Sequence, residues 1–289
     1  MHFFNINKKY AQYKGSKACI ISIPYEHTVS FMAGCDLGPS AVLHASANVE
    51  LYDEELQFKP HIYGISHVDV ADFSEDHDAN LKYIGKEFLK HYKSGKFIVS
   101  VGGEHSITIG LLEGLKQVEE DVSIIQFDAH ADLRSFYPPS KKSHACVMRR
   151  ASEMFPNTLA LGIRSMGEDA ASYIKKNDYP ILYAKDLFEM SDKEVQEYLS
   201  KVIRNKKVYI TFDVDVFDAS VVSLTGTPEP GGLGWYQTLR ILKHIFKKYD
   251  VIAVDVVELI GRESPTKCAF NTALLIRKML GYKFLSFQN

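Results

Sequence analysis

Eight short apolar runs recur along the chain, and most of them are continuously hydrophobic instead of alternating with polar residues. Such continuous runs are typical of strands that are buried on both faces of a sheet. The runs lie at residues 18–23, 62–70, 96–101, 122–127, 158–163, 179–184, 207–212 and 250–257. Amphipathic helical patterns separate many of them, and strand alternating with helix predicts a parallel sheet covered by helices on both sides. We therefore expect one α/β domain over residues 1–289, with a sheet of about eight strands.

Two Ser-x-x-Glu segments predict where helices begin. In a capping box, the serine side chain accepts a hydrogen bond from the backbone three residues later, and the glutamate side chain bonds back to the serine. Ser191 with Glu194, and Ser165 with Glu168, fit this signature. We therefore expect each serine to cap the start of a helix.

Composition argues against several classes of protein. The chain is 46% hydrophobic and 24% charged, with a formal net charge of -2, so it lacks the basic surface expected of a partner for nucleic acid or an anionic membrane. No apolar run approaches the ~18 residues that span a bilayer, and the N-terminus does not have the pattern of a signal peptide. The cysteines have no paired spacing, which predicts reduced thiols and a cytoplasmic protein. They are Cys19, Cys35, Cys146 and Cys268.

Acids and histidines follow four of the predicted strands. Ligands in parallel α/β folds bind beyond the carboxyl ends of the strands, which meet at one edge of the sheet. The segment "SIIQFDAHAD" (123–132) ends in three such side chains at every second position, so in an extended chain they project to one face. The full set is His105, Asp128, His130, Asp132, Asp213, Asp215 and Glu258.

Every residue of this set except Glu258 is a candidate metal ligand. Four buried carboxylates balance two divalent cations in formal charge, and they would be very costly to bury unpaired. Oxygen-rich ligands with two imidazoles and no thiolate suit Mn²⁺ better than structural zinc, and two such ions would activate a shared water near neutral pH. A group of helix caps and ion pairs without metal would also account for these residue types. The convergence of several strand ends favours the metal.

Five motifs in order resemble the signatures of the ureohydrolases, the arginase and agmatinase family. They are "GGEHS" (102–106), "FDAHADL" (127–133), "SHACVMRRA" (143–151), "FDVDVFD" (212–218) with "TGTPEPGGL" (225–233), and "DVVEL" (255–259). Residues 24–50 also resemble the opening segment of that family. The resemblance implies a three-layer α/β/α sandwich around a mostly parallel sheet of eight strands, an arginase-like fold, in agreement with the strand count.

The resemblance also implies a role for each candidate residue. Asp128 and Asp213 would bridge two Mn²⁺ ions per chain, His105 and Asp132 would complete the shell of one ion, and His130 and Asp215 that of the other. Glu258 would hold a guanidinium group, and His144 would carry a proton to the leaving amine while water attacks the guanidinium carbon and releases urea. Glu104 would either bond a liganding imidazole or cap the following helix. The family generally assembles into homo-oligomers, as trimers or hexamers.

The loop "LRSFYPPSKKS" (133–143) bears on the substrate. It lacks the Asn with which arginases hold the amino-acid end of arginine, so the chain resembles the agmatinase branch, which forms putrescine and urea from agmatine. Glu229 is a candidate partner for the distal ammonium of agmatine. Arg134 either points into the pocket, which would favour a guanidino acid, or forms an ion pair within the loop. Arginine and aminopropylagmatine are also candidate substrates, because residues 219–225 depart from the family pattern.

Two other classes of function fit the same fold. A zinc deacetylase would use a single metal ion, but the ligands for a second ion are all present here. A non-catalytic binding protein would be expected to have lost a ligand or His144, and the sequence retains them all. The sequence therefore predicts a ureohydrolase.

Overall fold

The computed structural model describes residues 1–285 and residue 287. Eight strands form one sheet in the order β2-β1-β3-β8-β7-β4-β5-β6, and every neighbouring pair runs parallel. The strands are β1 Ala18–Ile23, β2 Ile65–Asp69, β3 Phe97–Gly102, β4 Val122–Phe127, β5 Asn157–Ile163, β6 Ile181–Tyr183, β7 Lys207–Asp213 and β8 Asp250–Val257. Each one falls within a predicted apolar run or extends it by a single residue, so the strand prediction is confirmed.

Helices cover both faces of the sheet. They are α1 Lys8–Ala11, α2 Gly38–Ser46, α3 His77–Tyr92, α4 Ile107–Leu115, α5 Val147–Met154, α6 Glu168–Asn177, α7 Ala184–Glu189, α8 Asp192–Val202, α9 Trp235–Lys248 and α10 Lys267–Leu285. The core has two clusters, one containing apolar side chains of α2, α8, α9 and α10 and the other those of α3, α4, α5 and α6. The three-layer α/β/α sandwich is confirmed.

Burial explains why the strands appear as continuous apolar runs. Every residue of β1, β3, β4 and β5 is buried, because helices pack on both faces of these strands. The edge strand β6 is only three residues long and partly exposed. Polar residues on the buried strands therefore need partners inside the protein.

One of the two predicted capping boxes is confirmed and the other is wrong. Ser191 caps α8 with Glu194 as its reciprocal partner. Helix α6 instead begins at Glu168 with Gly167 as its N-cap. The backbone of Ser165 pairs with the segment after β4, since its N–H donates to the Ala129 carbonyl. Ser165 thus extends the sheet at the edge where the candidate site lies and is not available to start a helix.

The four strands that precede the candidate ligands are neighbours at the centre of the sheet, in the order β3-β8-β7-β4. Their carboxyl ends therefore meet at one place. All four cysteines are buried and free, as the sequence predicts. Within residues 1–285 and residue 287, no helix combines the length and the apolar character needed to cross a membrane.

Candidate metal centre and active-site cavity

Five of the six predicted metal ligands line a cavity of about 210 Å³ at the carboxyl ends of the central strands, and Asp128 is buried beside them. His105 follows β3, Asp213 closes β7, and Asp215 lies in the 3-10 turn Val214–Val216 directly after it. Asp128, His130 and Asp132 follow β4, and Glu258 follows β8. The residues that line the cavity include His105, His130, Asp132, His144, Asp213, Asp215 and Glu258. The structure thus brings together residues that are more than 150 positions apart in the chain.

Three carboxylates surround one nitrogen of His105. Its Nδ1 lies 3.0 Å from Asp132 Oδ2, 3.2 Å from Asp128 Oδ2 and 3.4 Å from Asp213 Oδ2. Burial opposes a charge on the imidazole, but the attraction of these three carboxylates outweighs burial and raises the pKa of His105 well above its usual value. The three anions therefore require a cation at Nδ1, either a proton or a metal ion.

The other nitrogen of His105 is held by a buried hydroxyl network. Asp255, on β8, accepts hydrogen bonds from Tyr209 OH at 2.6 Å, Thr211 Oγ1 at 2.7 Å and Thr108 Oγ1 at 3.1 Å. Because Thr211 donates its proton to Asp255, it accepts one from His105 Nε2 at 2.8 Å. The Nδ1 lone pair of a neutral His105 is then directed at the three carboxylates, which is the arrangement of a metal ligand.

A second group forms around His130. Its Nδ1 lies 2.8 Å from Asp215 Oδ2 and 3.6 Å from Asp128 Oδ1. The other oxygen of Asp215 accepts a hydrogen bond from the Ala129 N–H at 2.8 Å, which fixes the carboxylate. Burial opposes the imidazolium, but its attraction to Asp128 and its hydrogen bond to Asp215 raise the pKa of His130 to about 12. This group also attracts a cation.

Asp128 belongs to both groups. The ligand atoms of His105, Asp128 and Asp132 lie within 4.8 Å of one another, and so do those of Asp128, His130 and Asp215. Burial and the nearby Asp128 carboxylate raise the pKa of Asp132 to about 7. Part of this rise comes from repulsion between the Asp132 and Asp128 carboxylates, which divalent cations would relieve. The donor set therefore fits two metal ions that share a carboxylate.

Two site residues have backbone angles that L-amino acids rarely adopt. Asp132 has a φ of 49° and Glu258 a φ of 65°. Such left-handed conformations cost about 1–3 kcal/mol each and persist where surrounding contacts fix them. The Asp132 carbonyl accepts hydrogen bonds from the Met148 and Arg149 N–H groups at the start of α5, and the Glu258 N–H donates to the Gly103 carbonyl. These bonds hold the chain in the turn that directs both carboxylates into the cavity.

Glu258 lies at the side of the cavity with one oxygen bonded and one available. Its Oε1 accepts a hydrogen bond from the His105 N–H at 2.6 Å. A Cβ atom on Gly226 would lie 3.1 Å from Oε2, so a larger residue there would crowd that oxygen. Burial raises the pKa of Glu258 to about 8. A cationic group in the cavity would favour the ionised form of this carboxylate.

His144 lines the same cavity from the 3-10 turn His144–Cys146. Its Nδ1 lies 3.0 Å from Thr28 Oγ1, and its Nε2 lies 3.4 Å from Ser30 Oγ. Burial lowers the pKa of His144, so the imidazole is neutral near pH 7. Cys146, two residues further along the chain, is buried, and burial raises the pKa of its thiol to about 11.

Glu104 has neither of the two expected roles. Its carboxylate accepts hydrogen bonds from the backbone N–H groups of His27 and Thr28 and from the hydroxyls of Thr28 and Ser106. Sequence reasoning missed Thr28, which lies in the segment that resembles the family's opening. It also missed Asp255, although a single acid within an apolar strand is a signal for a buried polar network.

Arg134 and Glu229 lie at the outer part of the site. Arg134 lines the cavity, packs over Gly167 and the Tyr137 ring, and pairs with Asp169 at 3.7 Å. The expected ion pair within loop 133–143 is thus replaced by one to the first turn of α6. The Glu229 carboxylate lies 3.7 Å from His130 Nε2 and is not among the described residues that line the cavity.

Together, the fold and the site define a parallel α/β protein with a carboxylate and histidine centre at the strand ends. A family model described as the arginase family matches residues 16–281. The N(1)-aminopropylagmatine ureohydrolase of Synechocystis sp. is 37% identical, covering 93% of this chain and 90% of its own, and the agmatinase of Pyrococcus horikoshii is 30% identical, covering 93% and 92%. The agmatine ureohydrolase of Thermoplasma volcanium superimposes with a TM-score of 0.89 at 24% identity, covering 100% and 96%. The chain therefore belongs to the arginase family, and the resemblance to the ureohydrolases is confirmed.

Proposed function

We propose that the protein hydrolyses the guanidinium group of agmatine, giving putrescine and urea. The observation that carries this proposal is the convergence of the two candidate ligand groups, Glu258 and His144 on one cavity at the ends of the central strands. Membership of the arginase family supports the same reaction class. Putrescine formation would place the protein in polyamine biosynthesis, and the four buried thiols support a cytoplasmic location.

In this proposal the centre holds two Mn²⁺ ions. His105 and Asp132 would bind one ion, His130 and Asp215 the other, and Asp128 and Asp213 both. The fit rests on the Nδ1 atom of His105, which faces three carboxylates, and on a donor set of oxygens and imidazoles without thiolate. When bound, the ions would supply an activated water as the nucleophile.

Glu258 would bind and orient the guanidinium. Its Oε1 is fixed by the His105 N–H, which leaves Oε2 to accept charge-assisted hydrogen bonds from the substrate. Because burial raises the pKa of Glu258 to about 8, binding of a cation would draw this carboxylate into its ionised form. The guanidinium carbon would then lie beside the ligand groups, where water can attack it.

His144 would supply the proton for the leaving amine. Attack of water on the guanidinium carbon forms a C–O bond, and the C–N bond to the alkyl chain breaks with its electron pair on nitrogen. The neutral imidazole of His144 would first take the proton lost by the attacking water, and the resulting imidazolium would then give that proton to the departing nitrogen and return to its neutral form. A histidine with a neutral resting state suits this exchange.

The tail of the substrate extends toward the mouth of the cavity. Loop 133–143 lacks the Asn that would hold the amino-acid end of arginine, so arginine should be a poor substrate. The charge of Arg134 is offset by Asp169, which reduces its attraction for an acidic tail. Aminopropylagmatine is the second candidate, because the Synechocystis relative at 37% identity is named for it. Glu229 is the proposed partner for an ammonium group of either tail.

Urea release from Mn²⁺-loaded protein tests the proposal, with agmatine, aminopropylagmatine, arginine and 4-guanidinobutyrate as substrates. We expect agmatine to give the highest kcat/KM. A higher value for aminopropylagmatine or a guanidino acid would overturn the choice of substrate and leave the ureohydrolase activity standing. If no guanidino compound released urea, the reaction class itself would be refuted.

Metal analysis separates this proposal from other functions of the same fold. We expect two Mn²⁺ per chain, whereas a deacetylase would hold one Zn²⁺ and a binding protein would hold none. Light scattering would test the proposed assembly into a trimer or hexamer, and a monomer at micromolar concentration would contradict it.

A further inference from the structure

We infer that Thr28 is a positioning residue that holds His144 with its proton on Nδ1 and its lone pair on Nε2, and that Glu104 orients Thr28 for this task. The inference rests on the proposed role of His144 in proton transfer. It gives Thr28 and Glu104 a role that local sequence patterns do not indicate, and its basis is a series of buried hydrogen bonds that reaches the cavity wall.

The series begins at Glu104, whose side chain is fully buried. Its Oε2 accepts the N–H groups of His27 at 2.6 Å and Thr28 at 2.5 Å, and its Oε1 accepts the hydroxyls of Thr28 at 2.9 Å and Ser106. A carboxylate with four donors fixes its neighbours strongly, because charge-assisted hydrogen bonds are the strong ones. Glu104 thus fixes both the backbone and the hydroxyl of Thr28.

The hydroxyl of Thr28 has one hydrogen, which it donates to Glu104 in a hydrogen bond. The oxygen can then only accept from its remaining neighbours. Two atoms of His144 approach it, the backbone N at 3.1 Å and the ring Nδ1 at 3.0 Å. Nδ1 must therefore carry a hydrogen to make this contact. Thr28 itself is buried, so water does not compete for these bonds.

The consequence is a defined tautomer of His144. With Nδ1 protonated, a neutral imidazole has its lone pair on Nε2, which is the atom that accepts or returns a proton. The Ser30 hydroxyl lies 3.4 Å from Nε2 and can donate to it. The Tyr137 ring packs edge-on against the imidazole, with centroids 5.5 Å apart, and limits its rotation. Thr28 and Glu104 act through His144 and need not touch the substrate.

The test replaces the hydroxyl of Thr28 without changing its shape. In Mn²⁺-loaded protein with agmatine, Thr28→Val should lower kcat by about 10²-fold, as for a misplaced catalytic group, with KM, metal content and Tm near wild type. Thr28→Ser keeps the hydroxyl and should restore kcat to within about threefold. A near-normal kcat in Thr28→Val would overturn the inference.

A double-variant cycle separates positioning from a general structural effect. If Thr28 acts only through His144, the variant that combines Thr28→Val with His144→Asn should be no slower than His144→Asn alone. If Thr28→Val slows the His144→Asn protein by the same factor as the wild type, Thr28 acts elsewhere and the inference is wrong.

The tautomer can be measured without any activity. In ¹⁵N-labelled protein loaded with diamagnetic Zn²⁺ at pH 8, the His144 ring signals are identified by their loss in His144→Asn. We expect a protonated Nδ1 in the wild type and a mixture of tautomers in Thr28→Val. A protonated Nε2 in the wild type would overturn the inference. This result stands even if no guanidino compound is hydrolysed, so failure of the proposed function would be recognised separately.

Discussion

The two halves of the candidate metal centre share Asp128 but differ in how each histidine is held. The side chain of His105 is 1% exposed, and its outer nitrogen bonds to Thr211 and through it to Asp255. The side chain of His130 is 23% exposed, and its outer nitrogen has Glu229 at 3.7 Å, a residue with a 34% exposed side chain. The outer nitrogen of His105 is thus fixed by a buried network, whereas that of His130 faces a single distant charge.

The difference shows in which half the outer partner of the histidine is fixed by the fold itself. Thr211 and Asp255 lie within β7 and β8, so their positions are set by the sheet before any ligand binds. Glu229 lies in the connection between the 3-10 turn Val214–Val216 and α9, where solvent can screen its charge. We therefore expect the His105 half to depend on outer partners far more than the His130 half does. The following variants test this comparison.

The largest effect is expected where the two halves meet. Asp128→Asn and Asp213→Asn should each abolish activity and lose metal from both halves, because one lost negative charge unbalances two divalent cations. Metal analysis of the purified variants measures this directly. Asp121→Asn is the matched control, since it removes an exposed carboxylate at the opposite end of β4 and should bind metal normally. Full occupancy by two ions in either variant would refute the shared role.

His144→Asn should affect catalysis and neither half of the centre. We expect kcat to fall by roughly 10²–10⁴-fold, as for loss of a general acid–base group, with metal content unchanged. Steady-state kinetics and metal analysis on the same preparation measure both quantities. The exposed His44→Asn provides the control. Near-normal turnover in His144→Asn would show that this histidine carries no proton, whereas loss of metal would make it part of the centre.

The strands and the clustering of the candidate ligands at one edge of the sheet could be predicted from the sequence, because both depend on local spacing. Buried parallel strands are continuous apolar runs, and side chains two apart share a face, so "SIIQFDAHAD" indicates which of its residues are candidate ligands. The strand order then places β3, β8, β7 and β4 side by side. The alternation of strands and helices predicts a parallel sheet, but it does not predict this order.

The supporting contacts could not be predicted because they join distant parts of the chain. Thr28 meets Glu104 across 76 positions, and Thr211 meets His105 across 106. Local signatures also failed where tertiary pairing competed with them. Ser165 has the spacing of a helix cap, but its backbone is needed beside the segment after β4. Each failure lies where a long-range hydrogen bond overrides a local preference.

A smaller effect is expected from Thr211→Val, which removes the hydroxyl behind His105. Loss of such an outer partner should lower metal affinity by about 10–100-fold, and only for the ion bound by the His105 half. A calorimetric titration of metal-depleted protein with Mn²⁺ should then show one weakened binding step and one unchanged binding step. Thr211→Ser keeps the hydroxyl and should bind as the wild type does. Equal weakening of both steps would mean that the halves are not independent.

The smallest effect on the metal centre is expected from Glu229→Gln. A partly exposed carboxylate at 3.7 Å from His130 Nε2 contributes little, so Mn²⁺ affinity should change by roughly fivefold or less. The same variant tests Glu229 as a partner for the substrate ammonium. If that role is correct, KM for agmatine should rise several-fold while kcat and metal content stay unchanged. A loss of Mn²⁺ as large as in Thr211→Val would break the comparison, because the two histidines would then depend equally on their outer partners.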